Sequence, residues 1–276
     1  MIRRWLSSSI YLLTSIIGLF AFVAPFLWPE TIVASAAMGQ AHSSDAPLML
    51  SILTGLCFVA LLLEVQGDSV STKFIALLGV LVAINSVLRL AEAVLPIPGG
   101  FSPLFFLILM TGYAYGARFG FLMGALTLAV SALITGGVGP WLPYQMLTAG
   151  WVGLTAPLCR PFIRRIHAEG RWPELALLAA MGAFWGFFYG AIMNLYFWPF
   201  VTGPTDQYWK AGITLWETLK RYAVFYVATS LVWDLARAAG NTMMILAFGA
   251  PTLRALRRFH KRFVFTYRAA SVQEGA

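Results

Sequence analysis

Charge is scarce in this sequence. Only 11% of its residues are Asp, Glu, Lys or Arg, and 59% are hydrophobic. A soluble domain carries roughly 25% charged residues, so this composition excludes an ordinary water-facing surface. Cysteine is nearly absent. Cys57 and Cys159 lie far apart, which excludes a disulfide framework or a metal-ligand spacing, and both read as small apolar fillers. The three histidines, His42, His167 and His260, all fall outside the apolar runs. No HExxH, GxSxG or paired-carboxylate motif occurs, and no phosphate-binding glycine loop. The chain therefore does not read as an enzyme. Anything it moves uphill must draw on a gradient or on partner subunits.

Long apolar runs are what the sequence has. Crossing about 30 Å of hydrocarbon takes about 20 apolar residues in a helix. Eight stretches qualify, near 9–28, 47–64, 73–95, 102–116, 119–136, 141–159, 174–198 and 219–250. The fourth is short and Pro103 opens it. The eighth is longer than a span needs. The expected fold is an all-α polytopic membrane protein of about eight transmembrane helices.

Positive charge sets the orientation. With the N-terminus inside, the cytoplasmic side holds Arg3, Arg4, Lys73, Arg118, Arg160, Arg164, Arg165, Arg171, Arg254, Arg257, Arg258, Lys261, Arg262 and Arg268. The outer side holds Lys210, Lys220 and Arg221. Both termini are then cytoplasmic, in a multi-pass protein of the cell membrane. The net charge of +8 is thus a topology signal rather than a nucleic-acid footprint. The basic stretch from Arg254 to Arg268 is expected to lie on anionic lipid headgroups. Arg3 and Arg4 before an apolar run, with Ala34-Ser35-Ala36 after it, resemble a signal peptide. The run is long for one, so a retained helix is expected.

Polar residues inside spans are costly and default to functional candidates. Arg89 and Glu92 are three apart near the outer end of the third span. Asp234 and Arg237 are three apart in the eighth, with Asn241 one turn on. Each acid can pair with its own base on one helix face. The plain reading is a neutralised pair that fixes packing. Arginine keeps its proton, which argues against a proton-coupled carrier.

The outer loops are richer. Gly136-Gly137-Val138-Gly139-Pro140-Trp141-Leu142-Pro143-Tyr144-Gln145 joins spans five and six. Glycines let backbone approach a ligand, and Pro143 can start a helix. Trp141, Tyr144 and Gln145 add flat surface and hydrogen-bonding groups, as a small-molecule pocket needs. An interfacial aromatic belt accounts for Trp141 equally well. Span seven ends with Asn194, Tyr196, Trp198 and Pro199. Span eight carries Tyr222, Tyr226, Thr229 and Trp233 at helical spacing, which a core-packing stripe also explains.

Across residues 70–265 the chain resembles the substrate-binding S components of energy-coupling factor (ECF) vitamin transporters. The resemblance rests on Ala83–Leu90, Phe105–Tyr113, Phe119–Gly124, the Gly136–Gln145 loop and Arg237–Asn241. It is nearest the cobalamin-type branch, which also carries an N-terminal helical hairpin. It implies a hairpin over 1–69, a six-helix substrate-binding core over 70–252 and a basic cytoplasmic tail over 253–276. It implies capture of a vitamin at the outer face and docking on a membrane coupling subunit bound to two ATPases, which drive uptake. Membrane lipid is a further partner and nucleic acid is none. No resident cofactor is implied; a cobalt corrinoid would be cargo. The implied pocket uses Trp141, Tyr144, Gln145, Asn194, Trp198, Tyr226 and Trp233. The implied docking face is Ala76, Gly79 and Ala83, a small-xxx-small pattern that departs from the family's usual two alanines. His42, near Asp45, could ligate a corrinoid cobalt as a neutral imidazole, although a lone loop histidine is usually solvated. Two rivals to this reading are an ion- or proton-coupled carrier acting alone and a membrane assembly protein that binds no solute.

Overall fold

The structure, a computed structural model, describes residues 2–30, 32, 41–65, 72–94, 102–201 and 206–263, except for the side chains of 2–8, 63–65, 72, 91–94 and 260–263. The expected Ala34–Ala36 cleavage-like sequence and the tail beyond Phe263 lie outside the described residues. Every regular element among the described residues is helical. In chain order they are α1 (Ile2–Leu27), α2 (Ala46–Val65), α3 (Thr72–Val94), α4 (Leu104–Tyr115), α5 (Ala117–Thr135), α6 (Leu142–Thr155), α7 (Cys159–Arg165), α8 (Trp172–Phe197), α9 (Leu215–Thr229) and α10 (Leu231–Phe263). This is the all-α polytopic membrane fold that the apolar runs imply. α1, α3, α5 and α8 are long and apolar enough to cross a membrane alone.

α4 is the hub. Its 12 residues rise only about 18 Å, less than a bilayer core. Residues Leu104 to Tyr113 are buried without a break. A helix apolar on every side belongs inside a bundle, and protein rather than lipid surrounds this one. Next to it, α5 and α6 pack backbone to backbone. A Cβ at Gly120 or Gly153 would run into the carbonyl of the other, so only glycine permits this approach.

The hairpin packs on the core. Along α1, Tyr11 meets Phe121 edge-on at 5.4 Å and Phe22 meets Tyr144 at 4.9 Å. The Trp151 indole donates to Ser15 Oγ at 3.0 Å. The far side of α1, with Leu12, Ile16 and Leu19, is exposed for lipid. On α3, the Asn85 amide donates to the Leu104 carbonyl at 3.2 Å and Arg89 donates to Ser131 Oγ at 2.7 Å. Arg89 thus ties α3 to α5. The expected Arg89–Glu92 pair cannot be placed, because the Glu92 side chain lies outside the described residues.

Two helix boundaries differ from the apolar runs. Span six stops at Thr155; a 3₁₀ turn over Ala156–Leu158 and the short α7 follow. Span eight is two helices, broken at Ser230. Thr229 bonds back to the Phe225 carbonyl at 2.7 Å and accepts from Asn194 at 3.1 Å. Such back-bonding bends helices. α10 then continues past residue 253, so the basic segment begins as helix.

α8 and α10 join along a glycine stripe. Asn241 donates to the Gly182 carbonyl at 3.1 Å and Arg237 to the Gly186 carbonyl at 3.3 Å. A Cβ at Gly190 would fall on the Asp234 carboxylate. Asp234 and Arg237 form the expected i,i+3 ion pair. It neutralises the acid where it is buried.

Candidate functional site

The turn between α1 and α2 delivers His42 to the top of α6 and α8. His42 has a left-handed backbone, φ 57°, uncommon for a residue with a Cβ. Its ring is 1% exposed. It stacks on Tyr196 at 4.7 Å and 18°, and touches the rings of Tyr144 at 4.4 Å and Phe200 at 4.6 Å. The expectation of a solvated loop histidine does not hold. What buries His42 is aromatic surface from residues more than 100 positions away in sequence.

His42 Nδ1 lies 2.9 Å from Asp45 Oδ2 and 2.7 Å from the Tyr144 hydroxyl. That hydroxyl donates to the same carboxylate oxygen. A proton on Nδ1 gives the carboxylate two donors, and this assignment follows from the network. Nε2 then presents its lone pair. It is buried and has no protein partner among the described residues. Tyr196 fastens the turn from below by donating to the Ala41 carbonyl at 3.0 Å.

A second ring cluster adjoins this one. Trp198 is 1% exposed; its indole donates to the Gln207 carbonyl at 2.9 Å and its ring meets Tyr222 at 5.1 Å and Phe26 at 5.9 Å. Of the expected pocket residues, the structure thus gathers Tyr144 and Trp198 around the hairpin. Trp141 folds back on its own loop, donating to the Gly137 carbonyl at 3.1 Å with its ring over Gly139. Gly139 makes room for Trp141 itself, while Gly136 ends α5 in a left-handed conformation, φ 68°. Gln145 is partly buried and its Oε1 is buried without a partner. Asn194 is spent on Thr229. Tyr226 lies beside Tyr222 at 6.3 Å, on α9 rather than on a continuous eighth span. Trp233 is 55% exposed, next to the buried Asp234 on α10, and makes no ring contact with the cluster among the described residues. Ala76, Gly79 and Ala83 share the exposed face of α3, with nothing within 4 Å of a Cβ built at Gly79.

The far end of the bundle holds a cluster that the sequence reading missed. Glu174, in the first turn of α8, is 1% exposed. Its Oε1 accepts from the Tyr113 hydroxyl at 2.6 Å and from Arg257. Its Oε2 accepts from the Gly170 N–H at 2.8 Å. Arg160 donates to the Tyr113 carbonyl at 2.6 Å, and Tyr115 to the Leu256 carbonyl at 3.0 Å. Burial pulls the Arg257 pKa down, but the hydrogen bond and charge of Glu174 outweigh it and leave it above its ordinary value. A lone acid opening an apolar span was the available signal.

The fold and its two polar ends define a helical, multi-pass membrane protein with an aromatic cluster at one end and an arginine-rich clasp at the other. Residues 73–247, more than half of the chain, match the family model described as "ECF transporter, substrate-specific component". The chain belongs to this family, whose members are the substrate-binding subunits of ECF-type importers. No curated protein and no solved structure matches it.

Proposed function

We propose that the chain captures a corrinoid of the cobalamin type at its outer face, through the cluster around His42, and passes it to an ATP-driven import complex. The observation that carries this reading is the buried imidazole with Nδ1 held by Asp45 and a free lone pair on Nε2. Carboxylate-held imidazoles of this kind are good metal ligands, because the partner fixes the tautomer and raises basicity. Among the described residues no group of three or more His, Cys, Asp or Glu side chains could hold a metal ion. A metal reaching His42 must therefore bring most of its own ligands, as a corrinoid does. The surrounding Tyr144, Tyr196, Phe200 and Trp198 offer flat apolar walls for a large amphipathic cargo. They are closed on one another here, so cargo would displace the Ala41–Asp45 turn.

The outer placement of this cluster rests on the arginine bias, which puts both termini in the cytoplasm. Ala76, Gly79 and Ala83 serve as the docking face for the coupling subunit, which works with two ATPases. The support is that Ala76, Gly79 and Ala83 are all exposed on α3, with nothing within 4 Å of a Cβ built at Gly79, while the hairpin packs on α6. Close backbone approach is available there.

Calorimetry on the purified protein in detergent tests the cargo, with cobalamin against riboflavin, thiamine and biotin. Tight one-to-one binding of cobalamin alone, with an absorbance change that His42→Ala abolishes, is the expected result. Tight binding of another vitamin would keep the importer and discard the corrinoid. A folded sample that binds none of them would remove the vitamin reading altogether.

A further inference from the structure

The elbow between α6 and α8 combines two exposed chemistries. Leu158, Phe162 and Ile166 recur every four residues and are 70%, 55% and 44% exposed. Trp172, where α8 begins, is 63% exposed. The opposite side of the elbow is packed inward through Cys159, Ile163 and Ala168. Among the apolar side chains stand Arg164, Arg165 and Arg171, all exposed. Arg160 and Arg257 lie just behind, committed to Tyr113 and Glu174.

The positive charges outnumber what the acids can answer. Glu174 is already shared by three donors. Glu169 meets Arg164 at 3.6 Å, but both side chains are more than 60% exposed, and such pairs are weak. Burial lowers the pKa of Arg160; Tyr113 partly restores it, and the charges of Arg164 and Arg257 lower it further. Arg160 therefore lies within electrostatic reach of both Arg164 and Arg257. Guanidinium forks match phosphate geometry in a way that ammonium groups do not. Apolar side chains and an indole beside them suit acyl chains and the headgroup boundary.

We propose that the elbow over Ala156–Trp172 is a binding site for an anionic phospholipid of the inner leaflet. Acyl chain lies along Leu158, Phe162 and Ile166. The phosphate is taken by Arg164, Arg165 and Arg171. A free phosphate would have no use for the apolar stripe, so the lipid is the occupant. The site anchors the subunit in one leaflet, at the end remote from His42, independently of which cargo that end binds.

The test uses the full chain in nanodiscs. Bromine on the lipid tails quenches nearby indoles, and subtracting a Trp172→Phe sample isolates the Trp172 signal. Brominated phosphatidylglycerol should quench Trp172 at a mole fraction roughly tenfold below brominated phosphatidylcholine. Arg164→Gln/Arg165→Gln/Arg171→Gln should erase that preference while leaving the thermal midpoint unchanged. Equal quenching by both lipids would reduce the elbow to ordinary bilayer contact and overturn the site. So would a preference that survives the triple substitution, or that millimolar inorganic phosphate removes. Absence of quenching by either lipid would place protein or water there instead, and equally end the proposal.

Discussion

The two ends of the bundle are built from the same parts and use them differently. At one end the Tyr144 hydroxyl donates to the Asp45 carboxylate, which also faces His42. At the other the Tyr113 hydroxyl donates to the Glu174 carboxylate, which also holds Arg257. The Glu174 cluster is closed: both oxygens are used, and α4, the turn before α8, α8 itself and α10 meet there. The His42 cluster is open: Nε2 has no protein partner, and the residue that carries it sits in an unfavourable backbone region. A saturated network of buried charge reads as fastening. An unsaturated one on a strained turn reads as a place kept for something else.

Removing the closed carboxylate should be the costliest change. Glu174→Ala strands Arg257, the Tyr113 hydroxyl and the Gly170 N–H. Breaking a buried pair costs about 3–5 kcal/mol, and the 37% exposure of the Arg257 side chain lowers that. We expect a loss of about 2 kcal/mol in thermal unfolding, with cobalamin affinity per folded molecule intact. If the melting midpoint does not move, the clasp fastens nothing and the contrast between the ends fails.

The helices were legible in the sequence because apolar length is a local property. So was the Asp234–Arg237 pair, because three residues on one helix are neighbours whatever the fold. The break at Ser230 was not, since no proline or glycine marks it. Neither end cluster was legible as a cluster. Glu174 and Arg257 are 83 positions apart and His42 and Tyr144 are 102 apart. His42 looked like a loop residue because the aromatic surface that buries it belongs to α6 and α8. At Gly139 the group that takes the space of the missing side chain is the ring of Trp141, its neighbour two residues on.

The seam between the ends should rank next. Gly190→Ala places a methyl on the Asp234 carboxylate, and α8 must move away from α10 or the acid must rotate. Overpacking of this kind costs about 1–3 kcal/mol. Thermal unfolding should show it, and Gly79→Ala, on the open face of α3, should show none of it. Equal effects at the two glycines would mean that the α8–α10 approach is not tight.

The two tyrosines give a sharper comparison. Each phenylalanine substitution deletes one hydroxyl from a carboxylate and keeps the ring. Tyr113→Phe should lower stability by about 1 kcal/mol and leave cargo affinity alone. Tyr144→Phe should cost less stability, because Asp45 is 35% exposed and water can replace the donor, but it should weaken cobalamin binding by freeing the imidazole to turn. Measuring unfolding and calorimetry on both variants decides this. The same response from both would erase the distinction between a fastening and a receptive network.

His42→Asn should have the smallest effect on stability and the largest on binding. At φ 57° asparagine is better tolerated than histidine, so relief of backbone strain offsets the loss of stacking on Tyr196, Tyr144 and Phe200. We expect the unfolding free energy to stay within about 0.5 kcal/mol, while cobalamin affinity and its absorbance change disappear. A turn selected for stability alone would carry asparagine or glycine at this position. Histidine there supplies both a ring that stacks on Tyr196 and an imidazole nitrogen, and the two measurements separate these uses. A variant that melts as early as Glu174→Ala would show instead that the stacked ring holds the hairpin down, and the two ends would then be doing the same job.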